Sequence, residues 1–450
     1  MAFALSRWQL EQHVECWFAV FEFEQRAYEH EQQSGLRPRS FQTFNVRRER
    51  FKDLSPVLKR DKGAFSSPMA KKCNKPGPAD QSRASRPLIT FAPKESRMKR
   101  YSNIYPKIYD FESLLIAYNN AKKLKRFRNE ILRFTDRLEE NLIIIQNELI
   151  WKTYEQSQYR EFFVNEPKKR LIMALPFRDR VVQWSIYQNL SSMLERKYIS
   201  DSFACRKGKG VHQALQWLWN LLGSIPNSKD WYCLKLDIHK YFYRVNHSIL
   251  LSIYEKHFPD KDLLWLLGKI ITANDGNLGL VDGSVDYETR TCGVGMAVGN
   301  LVSQMSANVY LNELDQFAKR DLGIRHYARY MDDVLCLSPN KRELHEWRLA
   351  MQEFVETRLA LRTNSKTQVR PVSQGIDWVG YRTWPSMIRL RKSSAKRLKR
   401  RLKSLRRMFI EGSITFRDFD NSFQSYMGMM KHCTDDALKE SVCEMIGGKL

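Results

Sequence analysis

The sequence predicts an α+β protein preceded by a polar, basic extension. Three observations lead to this reading. Between residues 161 and 384, apolar runs of strand length alternate with stretches of helical periodicity, the pattern of a mixed helix-and-sheet core. Hydrophobic residues make up 43% and aromatic residues 12% of the 450 positions, enough for two to four domains with a sizeable core. The last segment, 387–450, is helical in pattern and strongly basic.

Residues 1–97 differ from the rest. A short amphipathic start turns polar and basic near Gly35, and Pro56, Pro68, Pro76, Pro78, Pro87 and Pro93 punctuate the remainder of the segment. Such a composition buries little apolar surface, so the segment is expected to be largely disordered. Met98 opens a stretch that reads as a fresh start, and 1–97 is expected to be dispensable.

The elements then come in order. Asp110 is placed to cap a helix carrying Leu114, Leu115, Tyr118 and Ala121 at helical spacing. Leu138, Leu142, Ile145 and Leu149 line one face of a second helix. Residues 161–190 read as two strands joined by a basic hairpin, then a helix from near Phe177. Residues 231–250 read as strand then helix, 303–321 as a helix, 325–337 as a hairpin, 344–360 as a helix and 366–384 as two strands. No internal repeat is visible. The domain boundaries this predicts are 98–230, 231–386 and 387–450.

A net charge of +25 calls for a polyanionic partner, nucleic acid before an acidic membrane. No apolar stretch approaches a membrane span, and the early candidate WFAVFEF (17–23) is short and contains a glutamate. The eight cysteines are scattered and form no CxxC pair, which argues against a zinc ribbon or a disulfide framework and for a reducing, cytoplasmic setting.

The chemistry-bearing stretch is RYMDDVLCL (329–337). Apolar residues surround two adjacent carboxylates, Asp332 and Asp333. Burying like charges side by side is costly unless a cation compensates. Taken alone the pair suits either a polar turn or a site for a hard divalent metal. A third carboxylate, Asp237, ends the apolar strand of WYCLKLDIHKYFYRV (231–245), where by itself it would read as a helix cap.

The order of motifs is more specific than any one of them. Basic PKKRLI, LPFRDRVVQ, ACRKGKG, LKLDIHKYF, GNLVSQ, RYMDD, SKT and GIDWVGYRTWP succeed one another across roughly residues 100–450. This order resembles the reverse transcriptases. The S-Q ending of GNLVSQ, the LNELD after it, PVSQGIDWVGYRTWP and SYMGMMKH resemble the enzymes of diversity-generating retroelements, which are related to those of group II introns.

The resemblance implies a right-hand polymerase fold with fingers in 98–230, a palm in 231–386 and a helical thumb in 387–450. It implies DNA synthesis on RNA with two Mg²⁺ ions held by Asp237, Asp332, Asp333 and the Ile238 carbonyl. Lys168, Lys169, Arg170, Val298, Gly299, Gln304 and Lys366 would surround the incoming nucleotide. Phe242 would be the steric gate against a 2′-hydroxyl, and Lys366 a proton donor to the leaving pyrophosphate. Arg206, Lys207 and Lys209 would contact the template backbone.

The segment IRLRKSSAKRLKRRLKSLRR (388–407) carries eleven cations and no acid, including Lys396, Arg397, Lys399, Arg400 and Lys403. Leu398, Leu402 and Leu405 mark an apolar stripe along it. This would be the thumb helix, tracking the template–primer duplex through its phosphates. By the same resemblance, the enzyme would copy a template-repeat RNA into cDNA with errors opposite adenine. It would use deoxynucleoside triphosphates and work with a small basic pentameric accessory protein in a bacterial or phage setting.

The sequence also departs from the family. Asn246 stands where an acid is usual, and Gly295-Met296-Ala297-Val298-Gly299 replaces G-I-P-I-G. Only 43 residues come after Arg407, so no RNase H domain is expected, and no paired Cys or His-Asn-His cluster suggests an attached endonuclease. The alternatives are a group II intron-like or phage-defence reverse transcriptase, and a non-catalytic RNA-binding relative.

Overall fold

The computed structural model describes residues 100–164, 170–273, 292–434 and 436–447. The expected extension, 1–97, lies outside the described residues.

Four helices open the described chain: Tyr105–Tyr109, Phe111–Ala121, Asn129–Asp136 and Leu138–Ile150. The Asp110 carboxylate caps the second by accepting from the Ser113 amide. In the two stripes read from the sequence, Leu114, Tyr118, Ala121, Leu142, Ile145 and Leu149 are buried, while Leu115 and Leu138 are half-buried. These helices pack on a long helix, Phe177–Glu195. Just before it, β1 (Arg160–Val164) and β2 (Arg170–Ala174) form the expected hairpin.

The centre is an antiparallel sheet of β3 (Tyr232–Asp237), β4 (Tyr327–Tyr330), β5 (Asp333–Ser338) and β6 (Gln368–Pro371), ordered β4-β5-β3-β6. Side chains alternate across a strand, so the sheet has two unlike faces. Leu234, Leu236, Val334 and Cys336 join the main core, packed with residues of helices His247–His257, Leu301–Gln316 and Lys341–Thr357. Cys233, Leu335 and Leu337 face the other way and join Phe203, Leu218 of helix Val211–Ser224 and Trp378. Burying each large aliphatic side chain contributes roughly 1.5–3 kcal/mol before chain entropy is subtracted.

The structure departs from the expected elements in two places. The helix read over 303–321 runs from Leu301 to Gln316 and then widens into a π turn at Phe317–Asp321. Residues 366–384 hold three strands, not two. They are β6, β7 (Ile376–Trp378) and β8 (Tyr381–Thr383), and β9 (Ile388–Leu390) pairs onto β8. The boundary expected at 386–387 therefore falls inside a three-stranded sheet. Strands of three residues are too short to display an alternation that sequence reading can detect.

The C-terminal segment forms helices Lys392–Ile410, Phe416–Met430 and Ala437–Gly447. Leu398, Leu402 and Leu405 are buried, as their spacing predicted, against Phe419, Met430 and Val442. A capping box between Thr415 and Asp418 starts the middle helix. No described helix is long and apolar enough to cross a membrane.

Candidate active site and nucleic-acid interface

The three aspartates meet at one end of the central sheet. Asp237, the last residue of β3, lies directly opposite Asp333, the first residue of β5. Directly opposed residues in an antiparallel pair hold their Cβ atoms about 4.5–5.5 Å apart. Asp332 lies in the turn between β4 and β5, beside Met331, whose φ of +55° is left-handed. By strand alternation, Asp237 and Asp333 share the face of Cys233 and Leu335. They sit beyond the end of the apolar cover on that face, and all three acids are half-buried.

Opposed like charges destabilise a sheet unless they are compensated. One compensation comes from Lys235, two residues back on the same face, whose Nζ lies 3.4 Å from an Asp333 oxygen. The same ammonium donates to the Asp377 carbonyl at 3.1 Å. Beneath the turn, the buried Arg329 guanidinium forms a fork with the Asp315 carboxylate at 2.8 and 2.7 Å. Burial works against the Arg329 charge, but Asp315 outweighs it and holds the pKa above the usual arginine range.

A loop closes the other side. The Asn364 amide donates to the Asp237 carbonyl at 2.7 Å, and the His239 amide donates to the Arg362 carbonyl at 2.8 Å. These two bonds flank the bridge between Ile238 and Thr363, so that pairing leaves the Ile238 carbonyl unspent. The same loop carries Lys366, exposed, two residues beyond Asn364. The Ile238 amide donates to the Asp332 carbonyl at 3.4 Å, which ties the hairpin turn to the end of β3.

The donors at this end are hard carboxylate and carbonyl oxygens, the set that Mg²⁺ prefers. Two of the carboxylates are in register and the third is adjacent in the turn. Among the described residues, no three His, Cys, Asp or Glu side chains converge closely enough to enclose an ion. Lys235 stands beside one member of the set. In donor type the residues at these strand ends suit a divalent cation.

On the neighbouring strand-to-helix turn, Tyr241 is buried and donates its hydroxyl to the Ala307 carbonyl at 2.7 Å. Phe242 packs edge-on to it at 5.6 Å and stays half-exposed, so of the two rings Phe242 is the one available to a ligand. Asn246, in place of the family's usual acid, caps helix His247–His257 by accepting from the Ile249 amide.

Val298, Gly299 and Gln304 cluster at the start of helix Leu301–Gln316. The Met173 amide of β2 donates to the Val298 carbonyl at 3.1 Å. Gly299 has a φ of +115°, and a Cβ there would meet Ile172 at 3.3 Å and the Met173 carbonyl at 3.4 Å. Only glycine allows β2 to dock so closely in that conformation. Arg170 opens β2 opposite Val164, on the same strand as Ile172 and Met173. Lys168 and Lys169 lie outside the described residues.

The basic loop needs a correction. Arg206, expected at the template backbone, is buried. Its guanidinium is spent on Glu195 and on the Ile199 and Ser202 carbonyls, and it lies over the Tyr198 ring. These bonds anchor the loop through Arg206. Lys209 donates to the Ser200 carbonyl, and burial lowers its pKa. Lys207 is the exposed cation of the three.

In helix Lys392–Ile410, Lys396, Arg397, Arg400 and Lys403 are exposed, while Lys399 donates to the Ser441 hydroxyl at 2.6 Å. Sequence reading missed Lys235, Arg329, Asp315 and a polar set in which Asn300 donates to the Tyr159 hydroxyl and Gln183 accepts from the Val302 amide.

Residues 164–383 match the family model for reverse transcriptase (RNA-dependent DNA polymerase). The chain is similar to protein YkfC of Escherichia coli K12, 25% identical over 281 residues, 55% of this chain and 72% of that one. It is also 25% identical over 210 residues to the group II intron-encoded protein LtrA of Lactococcus lactis, 46% of this chain. A protein in the cob intron of Schizosaccharomyces pombe is 25% identical over 236 residues. The chain spans only 32% and 27% of the length of these two intron proteins. It therefore carries a reverse transcriptase domain homologous with those of group II intron-encoded proteins.

Proposed function

We propose that this chain is an RNA-directed DNA polymerase that copies a template-repeat RNA into adenine-mutagenised cDNA in a diversity-generating retroelement. The observation that carries the polymerase reading is the register of Asp237 on β3 with Asp333 on β5, next to the β4–β5 turn that holds Asp332. In this reading the hairpin and helix region up to 230 serves as fingers, the central sheet as palm and the C-terminal helices as thumb.

The reaction joins a primer 3′-hydroxyl to the α-phosphorus of a deoxynucleotide and releases pyrophosphate. Asp237, Asp332, Asp333 and the Ile238 carbonyl would hold two Mg²⁺ ions. When bound, these ions supply an activated hydroxyl and neutralise charge on the leaving group. The residues of the chain do the rest. Phe242, half-exposed on the turn after β3, would lie under the sugar. Gly299 lets β2 close against Val298, with Arg170 at its start and Gln304 one turn into the next helix. Lys168 and Lys169 would neutralise triphosphate charge. Lys366, exposed on the loop bonded to Asp237, would give a proton to pyrophosphate. The exposed cations of helix Lys392–Ile410 would run along duplex phosphates, with Lys207 as a lesser contact.

The retroelement assignment rests on the sequence features around Val298 and near the C-terminus. It brings with it a small basic pentameric accessory protein as partner. Similarity to LtrA favours a second reading, an intron-type enzyme without biased errors. One experiment separates them. Purified protein extends a DNA primer on a defined RNA in Mg²⁺, and the cDNA is sequenced. Errors concentrated opposite template adenine support the retroelement reading. Errors spread evenly support the intron-type reading. No extension, under conditions where a known reverse transcriptase works, overturns both.

A further inference from the structure

Arg329 and Asp315 are both fully buried, and nothing in the proposed chemistry uses them. Their fork is bidentate, and Tyr327 donates its hydroxyl to the same Asp315 oxygen at 2.7 Å. The arginine backbone is pinned as well: its amide donates to Asp201 and its carbonyl accepts from Phe203. One guanidinium nitrogen, Nη1, points elsewhere. It donates to the Met331 carbonyl at 2.8 Å and reaches the Asn308 side chain at 3.3 Å.

The Met331 carbonyl belongs to the peptide that joins Met331 to Asp332. Fixing its direction fixes the peptide plane from which the Asp332 side chain departs. Met331 adopts a left-handed conformation that non-glycine residues rarely take without support. On the far side of Asp332, the next peptide is held by the Ile238 amide. The aspartate is thus suspended between two held peptides, one tied to β3 and one to a buried cation.

Burying an ion pair is a poor way to gain stability, because desolvation offsets the attraction. A pair retained in such a place, and reaching the turn that carries Asp332, suits alignment better than cohesion. Lysine could supply the charge but not a planar fork that engages Asp315 and the Met331 carbonyl together.

We propose that Arg329, held by Asp315, is a positioning residue that orients the Met331–Asp332 peptide and so aims the Asp332 carboxylate. The kinetic consequence rests on the polymerase reading; the structural one does not. Three proteins test it: wild type, Arg329→Lys, and the neutral triple variant Asp315→Leu/Tyr327→Phe/Arg329→Met. The triple variant replaces the buried charges with apolar groups and keeps the core foldable if either charge alone proves indispensable.

Both variants should exchange the backbone amides of residues 331–334 about tenfold faster than wild type, as read by mass spectrometry. Both should extend primers with kcat lower by about a hundredfold while KM for the nucleotide stays within about twofold. The triple variant should melt at or above the wild-type temperature. A purely structural pair predicts the opposite for that variant, wild-type kcat returning together with stability. That result, or unchanged exchange at the turn, overturns the proposal. If wild type itself extends no primer, the polymerase reading falls, and the exchange measurement still decides the role of Arg329.

Discussion

The Asp-bearing end of the central sheet and the helix Lys392–Ile410 both concentrate charge of one sign, and they manage it in opposite ways. At the sheet end the three acids are half-buried, held by strand register, by a left-handed turn and by bonds from Ile238, Asn364 and Lys235. On the helix, Lys396, Arg397, Arg400 and Lys403 are exposed and only the leucine stripe beneath them is fixed. The first arrangement spends fold on a few exact positions. The second spreads many interchangeable charges over a surface. Chemistry at a phosphorus atom needs the former, and grip on a polyanion needs only the latter.

The contrast between the two regions is most vulnerable at the acids. Asp332→Asn should reduce primer extension by about three orders of magnitude or more, as loss of a directly acting group does. Its melting temperature should hold or rise, since one of the repelling charges is gone. Single-turnover extension and a thermal melt check both halves. Near wild-type extension would remove Asp332 from the site.

A smaller effect is expected where position matters but charge does not. Phe242→Ala removes the half-exposed ring on the turn after β3 and should raise ribonucleotide use relative to deoxyribonucleotide by about tenfold, within the range one lost apolar contact can give. Competition between the two nucleotides in a single extension reaction reads it. The buried Tyr241, whose hydroxyl is engaged by Ala307, should show no such effect when changed to Phe.

On the helix each charge should count for little. Arg400→Gln should weaken binding to an RNA–DNA duplex by less than about tenfold and lower the slope of log affinity against log salt by about one. Arg206→Gln offers the contrast. It should cost folding stability through its lost bonds to Glu195, Ile199 and Ser202, and leave the salt slope unchanged. A salt titration of both variants separates a surface charge from a spent one.

The same division explains what the sequence revealed. The long helices were legible because Leu114, Leu142 and Leu402 recur at helical spacing, and the Asp237 strand because its apolar run is unbroken. The candidate acids were legible because a carboxylate pair in an apolar run is costly enough to need a reason. Arg206 misled, because a cation between glycines looks like surface until Glu195 is brought in from the helix before it. Lys235 and Arg329 were hidden for a related reason. Their partners Asp333 and Asp315 are distant in sequence or on another element, and pairing across elements leaves no local period. The three-residue strands β7, β8 and β9 were too short to be told from loop.

The least effect lies where the basic helices meet the rest of the chain. His212, at the start of helix Val211–Ser224, stacks on His432 just after helix Phe416–Met430, with ring centroids 3.8 Å apart. Burial lowers the pKa of His212, and burial, His212 and Lys431 together bring His432 down to about 4. The rings are therefore neutral in the folded protein at pH 7, whereas an unfolded histidine titrates near 6.5. A depressed folded pKa means the unfolded chain binds protons first as pH falls. The stabilisation is complete above about pH 6.5 and is lost progressively toward pH 4. The adjacent Thr434 joins Ile388 through backbone and side chain, so the loss should loosen the join between β9 and the helices. His257, buried in the main core and also brought to about 4, adds a pH dependence of its own that this pair does not explain. His432→Phe keeps an aromatic ring against His212 and removes one titrating group. Its melting temperature should fall less than that of wild type between pH 7 and pH 5, with the remaining decline set by groups that include His212, His257, His326 and Asp260, all lowered in the folded chain. Parallel melting curves across that range would dismiss the stacked pair as a contributor to acid sensitivity.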